Sequence, residues 1–347
     1  MATLPSKAGA VSLLDFAKSI NPDGTAATVI ELLNQTNEIL TDAVVVEGNL
    51  PTGHRTVIRT GLPTAIWRQL YAGVPASKSL RATVDDAIGM LETRSEVDRD
   101  VADLNGNTNE FRLSEAEAFL EGMNQAMCTT LLYGDSAVTP ERFTGLTPRY
   151  NSLSATNATN IIDAGGTGSD NTSVWLIVWS PTTVHLIFPK GSQAGIMHED
   201  LGLIDAFDGS NNRYRAYADH WQWKVGISVR DWRYVVRIAN VDISDTLAQT
   251  GTQASTAATA LIKLMLKAMA RIPAMGKGKA VFYANRTIKE FLSIAALDKS
   301  NTALSIQDST NQFGQVAPGS VNNGTLKFFG VPVRTVDQLT ITETRVV

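Results

Sequence analysis

The sequence is short of the residues that most chemistry at an active site uses. Among 347 residues there is one cysteine, Cys128, so no internal disulfide and no cysteine-built metal site can form. It lies inside a helical pattern, where cysteine serves as a small buried hydrophobe. Histidine is nearly as scarce. His54, His185, His198 and His220 are far apart, and none has the His-Glu-x-x-His spacing that puts two ligands on one helix face. His198-Glu199-Asp200 is the one local cluster, and it reads as a solvated polar turn whose adjacent side chains diverge. No run reaches the roughly 18 apolar residues of a helical membrane span, and residues 1–10 lack the basic-then-apolar order of a signal peptide. The expectation is a protein made and kept in a cytoplasm.

Concentrated positive charge is also missing. The formal net charge is -4 with Lys and Arg scattered, which argues against a protein built to grip phosphates or to read a nucleic-acid sequence. Gly165-Gly166-Thr167-Gly168 and Gly276-Lys277-Gly278-Lys279 resemble phosphate loops only in glycine content. Neither ends in the Gly-Lys-Ser/Thr that places an ammonium and a hydroxyl on phosphate and magnesium, so both read as flexible loops. There is no Gly-x-Ser-x-Gly elbow, and Asp85-Asp86 lacks the apolar flank that would raise a carboxyl pKa for acid-base work. Nothing implies an enzyme, a metal or a cofactor.

What is present is ample material for a core, at 44% hydrophobic and 18% charged. Ser12 can cap a helix over Leu13 to Ser19, which the turn residues Asn21-Pro22-Asp23-Gly24 end. Val29, Leu32, Leu33, Thr36, Ile39 and Leu40 then recur at helical spacing and predict an amphipathic arm that needs a surface to lie on. Arg55 to Arg59 reads as one strand of a long hairpin and Ala65 to Leu70 as the other, with too few apolar positions for a core of its own. After an extended stretch from Ala82 to Val97, Ser114 and Glu117 form a capping box for a helix over about 113–133, stopped at Gly134.

The middle of the chain reads as mainly β. After a polar loop from Ser152 to Ser173, Val174 to Trp179 and Val184 to Phe188 predict a hairpin around Ser180-Pro181-Thr182-Thr183. Tyr214 to Val229 and Trp232 to Ile238 predict another, joined at Arg230-Asp231. Its aromatics read first as cross-strand packing, although Trp221 and Trp223 share a parity and could offer a stacking face for sugars or bases. A helix from Thr252 carries Leu261, Leu264, Met265 and Ala268, with Lys263, Lys267 and Arg271 toward its end. A strand over Ala280 to Tyr283, a helix over Thr287 to Ala296, a polar loop over 308–324 and an extended stretch over Leu326 to Val333 close the pattern. The class is α+β.

Several segments, in consistent order, carry a resemblance. Asn34 to Leu40 and Glu47 to His54 resemble the N-terminal arm and the start of the extended E-loop of the major capsid proteins of tailed bacteriophages. Ser95 to Asp98, Ala102 to Asn107, Ser114 to Phe119, Leu131 to Asp135 and Phe143 to Leu146 are similar to the entry, body and exit of their spine helix. Val235 to Asp242 is similar to a late peripheral-domain strand, and Phe282 to Thr287 with Phe328 to Arg334 to the axial strand-helix unit and its closing strand.

The resemblance spans nearly the whole chain and implies a Hong Kong 97-like capsid fold. It divides the chain into an arm (1–44), an E-loop hairpin (45–77), a peripheral domain with spine helix and β-sheet (78–250, with the β-rich block at 174–242), and an axial α/β domain with C-terminal tail (251–347). Because the β-rich block precedes the axial elements, it suggests a permuted connectivity.

The resemblance further implies pentamers and hexamers in the icosahedral head of a virion, enclosing double-stranded DNA without reading its sequence, assembled in the host bacterial cytoplasm. Portal, scaffolding and decoration proteins are the expected partners, with no membrane. No lysine lies between Glu47 and Ser77, so the covalent loop cross-link of some relatives has no donor there. The early start of the arm and loop motifs leaves no room for a fused scaffolding segment, which implies a separate scaffolding protein or none. The expected inter-subunit contacts are Leu32, Leu33, Ile39 and Leu40 on the arm, and Arg55, Ile58, Arg59, Ile66, Trp67 and Arg68 on the E-loop. The alternative from the residues is a tail-associated or carbohydrate-binding β-rich protein using Trp221.

Overall fold

The computed structural model describes residues 35–104, 106, 108–244, 252–297, 304–307 and 325–347. The helix expected over Leu13 to Ser19, the arm residues Leu32 and Leu33, and the loop over 308–324 lie outside them.

In chain order, a short helix α1 (Glu38–Asp42) leads to β1 (Val45–Glu47), β2 (Gly53–Gly61), β3 (Leu80–Ala87) and β4 (Gly89–Asp98). A turn of helix, α2 (Arg99–Ala102), precedes the long α3 (Thr108–Tyr133), and α4 (Leu146–Arg149) follows it. Then come β5 (Ile161–Asp163), β6 (Asn171–Trp179), β7 (Val184–Phe188), β8 (Ile196–Phe207), β9 (Arg213–Val229) and β10 (Val235–Asp242). The last part holds α5 (Thr252–Arg271), β11 (Lys279–Ala284), α6 (Arg286–Leu297), β12 (Leu304–Gln307), β13 (Thr325–Phe328) and β14 (Val331–Thr335).

The middle of the fold is a mixed sheet in the order β12-β13-β14-β11-β6-β7-β9-β4, with β10 against β6, β1 against β7 and β8 against β9. Strand β6 explains how it is held. Every residue of β6 is buried, as a run apolar on both faces requires. Val174, Leu176 and Val178 point into one core with Val236 and Ile238 of β10, Phe282 of β11, Met265 and Ala268 of α5, and Ile288 and Leu292 of α6. Trp175, Ile177 and Trp179 point into a second core with Met127, Cys128, Leu131 and Leu132 of α3, Leu146, and Ile39 of α1. The period of two along one strand thus makes two cores, helices α5 and α6 covering one face and α3 the other.

The strands form where the apolar runs predict them, and their partners differ. The two hairpins expected in the middle of the chain are absent. β6 and β7 meet only at Trp179 and Val184, because β6 is flanked by β10 and β11 while β7 is held by β1 and β9. β9 turns back onto β8, not onto β10. The supposed polar turn at His198-Glu199-Asp200 is therefore strand, its alternation broken by a bulge at Gly202, whose φ is 65°. Leu326 to Val333 is likewise two strands joined at Phe329 and Gly330, both with positive φ, the geometry of a tight hairpin turn. A boundary at residue 250 runs through one sheet, since β6 of the expected peripheral part pairs with β11 of the axial part.

Helix α3, some 39 Å long at 1.5 Å per residue, begins before the expected Ser114 cap, so Ser114 lies within the helix and Phe111 packs with Val97 and Ala102. It ends as predicted at Gly134, whose N–H donates to the Thr130 carbonyl at 2.8 Å. A Cβ there would lie 2.5 Å from that oxygen and 2.6 Å from the Phe143 carbonyl. Gly276 to Lys279 is not a free loop either: Lys279 opens β11, and a Cβ on Gly278 would sit 2.3 Å from the Trp179 carbonyl.

Candidate assembly surfaces

The hairpin leaves the body as a two-stranded ribbon of β2 and β3, paired from Gly53 with Ala87 to Gly61 with Leu80. Nine residues of strand carry it about 30 Å at 3.3 Å per residue. The second strand is therefore Leu80–Ala87, beyond the expected end of the loop at 77. Ala65 to Leu70, read as that strand, lies in the irregular tip, where no strand pairs with it and a turn bond from Ala72 N–H to the Gln69 carbonyl at 3.2 Å bends the chain.

The base of the ribbon is rigid and polar. A Cβ on Gly53 would meet the Asp86 carbonyl at 2.3 Å. Asp86, expected in a solvated turn, is buried and takes an ion pair from Arg149 Nη1 at 2.8 Å. His54 and His185 meet edge to face at 5.7 Å, with Arg230 Nη2 2.9 Å from His54 Nε2. His185 is fully buried, and burial first, then the neighbouring Arg230 and His54, pulls its pKa down to about 4. His54 shifts the same way, again chiefly by burial.

The tip is the opposite. Trp67 and Tyr71 are wholly exposed, Leu62 and Leu70 nearly so, and Ile66, Val74 and Leu80 largely. Arg59 and Arg68 stand in solvent beside them, Ile58 is half-buried, and Arg55 is held across the ribbon by Asp85 at 2.7 Å. The E-loop residues singled out from sequence thus share one projecting element.

The arm residues divide. Ile39 is 0% exposed inside this chain's own second core, so it offers nothing to a neighbour, and Leu40 packs half-buried against the same core. The expected continuous helix is also broken. Asn37 bridges to Val336 in extended conformation, and only Glu38–Asp42 is helical. The reason is a polar anchor that periodicity cannot show. Lys279 Nζ donates to Asp42 at 2.6 Å and Tyr283 OH to its other oxygen at 3.1 Å, while Trp179 Nε1 donates to Tyr283 OH at 2.7 Å. Arg334 Nη1 reaches Glu38 at 2.7 Å.

A second anchor holds the last residues of the chain. Arg237 is buried in the sheet, stacked over Trp175 at 5.2 Å, and donates to the Tyr150 carbonyl at 2.7 Å and to Glu343 at 2.9 Å. Glu343 also accepts from Ser173 and from Tyr133 OH. Three residues along, Asn240, with φ 58°, donates to the Val346 carbonyl and accepts from its N–H. Val235 to Asp242 was legible as a motif, and this is the work its Arg and Asn do.

The aromatic stripe does not form a stacking platform. Trp221 is 4% exposed, sandwiched between Phe119 of α3 at 5.6 Å and His198 at 5.2 Å. His198 Nε2 lies 3.0 Å from Asp219, which Arg112 also holds together with Asp200. Among the described residues no three His, Cys, Asp or Glu side chains gather as a metal-binding set, and no helix is long and apolar enough to cross a membrane.

Comparison with known proteins fits a subunit with a projecting apolar ribbon. Residues 21–347 match the family described as Major capsid protein GP7. A chain of the bacteriophage Epsilon15 cryo-EM structure is 31% identical over 100% of this chain and 99% of its own, with a TM-score of 0.76. A chain of the bacteriophage JBD30 capsid is 10% identical, covering 89% of this chain and 93% of its own, with a TM-score of 0.49. No curated protein sequence matches. The alternative of a carbohydrate-binding or tail-associated protein falls with the buried Trp221 and with this match over most of the chain. The fold is Hong Kong 97-like, and the chain belongs to the GP7 family of major capsid proteins, the shell subunits of tailed-phage heads.

Proposed function

We propose that the chain acts solely as a building block, joining copies of itself into pentamers and hexamers through the N-terminal arm and the E-loop ribbon. The observation that carries this is the ribbon tip, whose large apolar side chains find no partner in their own subunit. A monomer would gain nothing from that exposure, whereas obligate interfaces of more than about 2,000 Å² require it. Leu32 and Leu33 on the arm, with Ile58, Ile66, Trp67, Arg55, Arg59 and Arg68 on the ribbon, make the contacts. The shell encloses double-stranded DNA by volume and not by sequence. It is assembled in the host cytoplasm with a portal, a scaffolding protein and, where one exists, a decoration protein.

The test is expression of the full chain, alone and with the phage's own assembly partners, followed by sedimentation and negative-stain microscopy. Closed shells, tubes or five- and six-membered rings are expected. Trp67→Asp and Leu33→Asp are each expected to lower particle yield at least about ten-fold, since a charge at a desolvated contact costs several kcal/mol. Particles unchanged by both would sink the reading.

A further inference from the structure

The ribbon joins the body at two places, the segment 48–52 ahead of β2 and Ile88, the single residue between β3 and β4. Backbone bonds tie both. Gly48 N–H donates to the Phe188 carbonyl at 2.8 Å, and Ile88 N–H to the Thr52 carbonyl at 3.1 Å.

His54, the second residue of β2, is buried where only a neutral ring fits. An Arg230 Nη2 hydrogen points at its Nε2 at 2.9 Å, and the Asn49 N–H at its Nδ1 at 3.3 Å. A guanidinium and a backbone N–H have no lone pair to give, so both neighbours offer hydrogens. A neutral imidazole accepts one of them, and an imidazolium accepts none. Arg230 is anchored in the body, through Nη1 to the Pro181 carbonyl and through its own N–H to the Thr183 carbonyl, each at 2.9 Å. The Arg230–His54 bond is thus a strut from the body to the root of the ribbon, and it exists only while His54 is unprotonated.

His185 stands behind it and interrupts the apolar run of β7. Neither of its ring nitrogens meets a donor or acceptor of the protein, and the same holds for Ser228 Oγ opposite it on β9. A phenyl ring would fill this space without stranding two nitrogens, so packing does not account for an imidazole here. What the imidazole adds is the capacity to take up a proton. The charged groups facing the two rings are Arg230 just past β9, Asp86 across the ribbon from His54, and Arg149 of α4, which is paired with Asp86. One carboxylate therefore faces two guanidiniums before either histidine is charged.

We propose that this root is an acid-released latch: with His54 and His185 neutral the ribbon is held at one angle, and protonation of the pair breaks the Arg230 strut and lets the ribbon swing while both cores stay folded. The cores are spared because neither histidine belongs to them. Burial first, then Arg230, holds both rings below their ordinary pKa, His185 at about 4, so the latch is closed at neutral pH and opens as the pH falls toward that value. It belongs to the single subunit, whatever the ribbon meets in the shell.

Spin labels on the unassembled full chain test it. Leu62→Cys at the end of the ribbon and Val138→Cys in the body, both exposed, are labelled, and their separation is measured by pulsed electron spin resonance at pH 7.5 and pH 4.5. The native Cys128 is silent, being buried with its thiol pushed up to about 12. One narrow distance is expected at pH 7.5. At pH 4.5 the distribution broadens and moves by about 8 Å, the arc of a roughly 15° swing at the end of a strand about 30 Å long, while the near-UV circular dichroism is unchanged. His54→Gln combined with His185→Phe keeps an acceptor for Arg230 and removes both titrating rings, and it is expected to hold the pH 7.5 distance at pH 4.5. A wild-type distance that is the same at both pH values, a shift that the double variant shares, or a shift that comes only with loss of the near-UV signal overturns the latch.

Discussion

Residues 65–71 and 174–179 have similar apolar content and opposite fates. The first, Ala-Ile-Trp-Arg-Gln-Leu-Tyr, stands in solvent at the end of a ribbon; the second, Val-Trp-Leu-Ile-Val-Trp, is sealed between two cores. The difference lies in position. β6 has strands hydrogen-bonded on both edges and helices over both faces, whereas the tip ends a two-stranded ribbon that cannot bury a side chain by itself. Apolar content signals that a segment is to be buried, and topology decides in which molecule. In a shell subunit, part of that burial is left to other copies.

The comparison is broken most severely at Trp175. Its ring fills the space between Tyr150, edge-on at 5.9 Å, and the stacked Arg237. Trp175→Ala is expected to cost about 3–5 kcal/mol by the cavity it leaves, with the guanidinium uncovered as well. Chemical denaturation of the unassembled subunit measures it, and a loss under 1 kcal/mol would show that the second core can collapse around the gap.

Next comes the buried ion pair. Glu343→Gln keeps the shape of the side chain but leaves Arg237 charged and uncompensated, which is expected to cost about 3 kcal/mol or more. Replacing both residues, Arg237→Met with Glu343→Leu, removes the buried charges together and is expected to recover most of the loss. If the double variant is no better than the single, the network matters for its several hydrogen bonds and not for its charge.

The base of the ribbon carries the pH dependence. His185 is neutral when folded, with its pKa near 4, and takes up a proton near its ordinary 6.5 when unfolded. Its stabilising share is therefore complete above about 6.5 and is lost as pH falls from there to about 4, to an extent of order 3 kcal/mol. His54 adds in the same direction. Urea midpoints of the unassembled subunit at pH 7.5 and pH 5 give the size, and His185→Phe is expected to flatten the difference. A wild-type subunit equally stable at both values would mean that water reaches the imidazole.

Much of this was legible along the chain, and the pattern of success is physical. The helices over 252–271 and 286–297 declare themselves because their buried residues, Leu261, Met265 and Ala268 or Ile288 and Leu292, repeat at a local period. β6 and β10 do so as β-branched and aromatic runs. Strand partners are not local, so β8 was missed altogether: it is an outer strand, largely exposed, and the bulge at Gly202 shifts its alternation. The polar anchors were hidden for the same reason, since Asp42 meets Lys279, and Arg237 meets Glu343, only after the sheet has formed. Of the residues proposed for contacts, Ile66, Trp67, Arg59 and Arg68 do face outward. Ile39 does not, because helical spacing alone cannot tell a face turned to a neighbour from one turned to the chain's own sheet.

The smallest effect on the subunit is the one that separates the two regions best. Trp67→Asp removes one of the largest apolar side chains in the sequence, yet it touches nothing in its own subunit, so the stability of the unassembled chain is expected to change by less than about 0.5 kcal/mol. The same variant is expected to abolish shells. Trp175→Ala is predicted to do the reverse in order of cause, failing to assemble because it fails to fold. Measuring both quantities on both variants separates folding from assembly: a Trp67→Asp subunit destabilised by as much as Trp175→Ala would mean that the tip folds back onto its own body, and that the ribbon is part of one molecule's core after all.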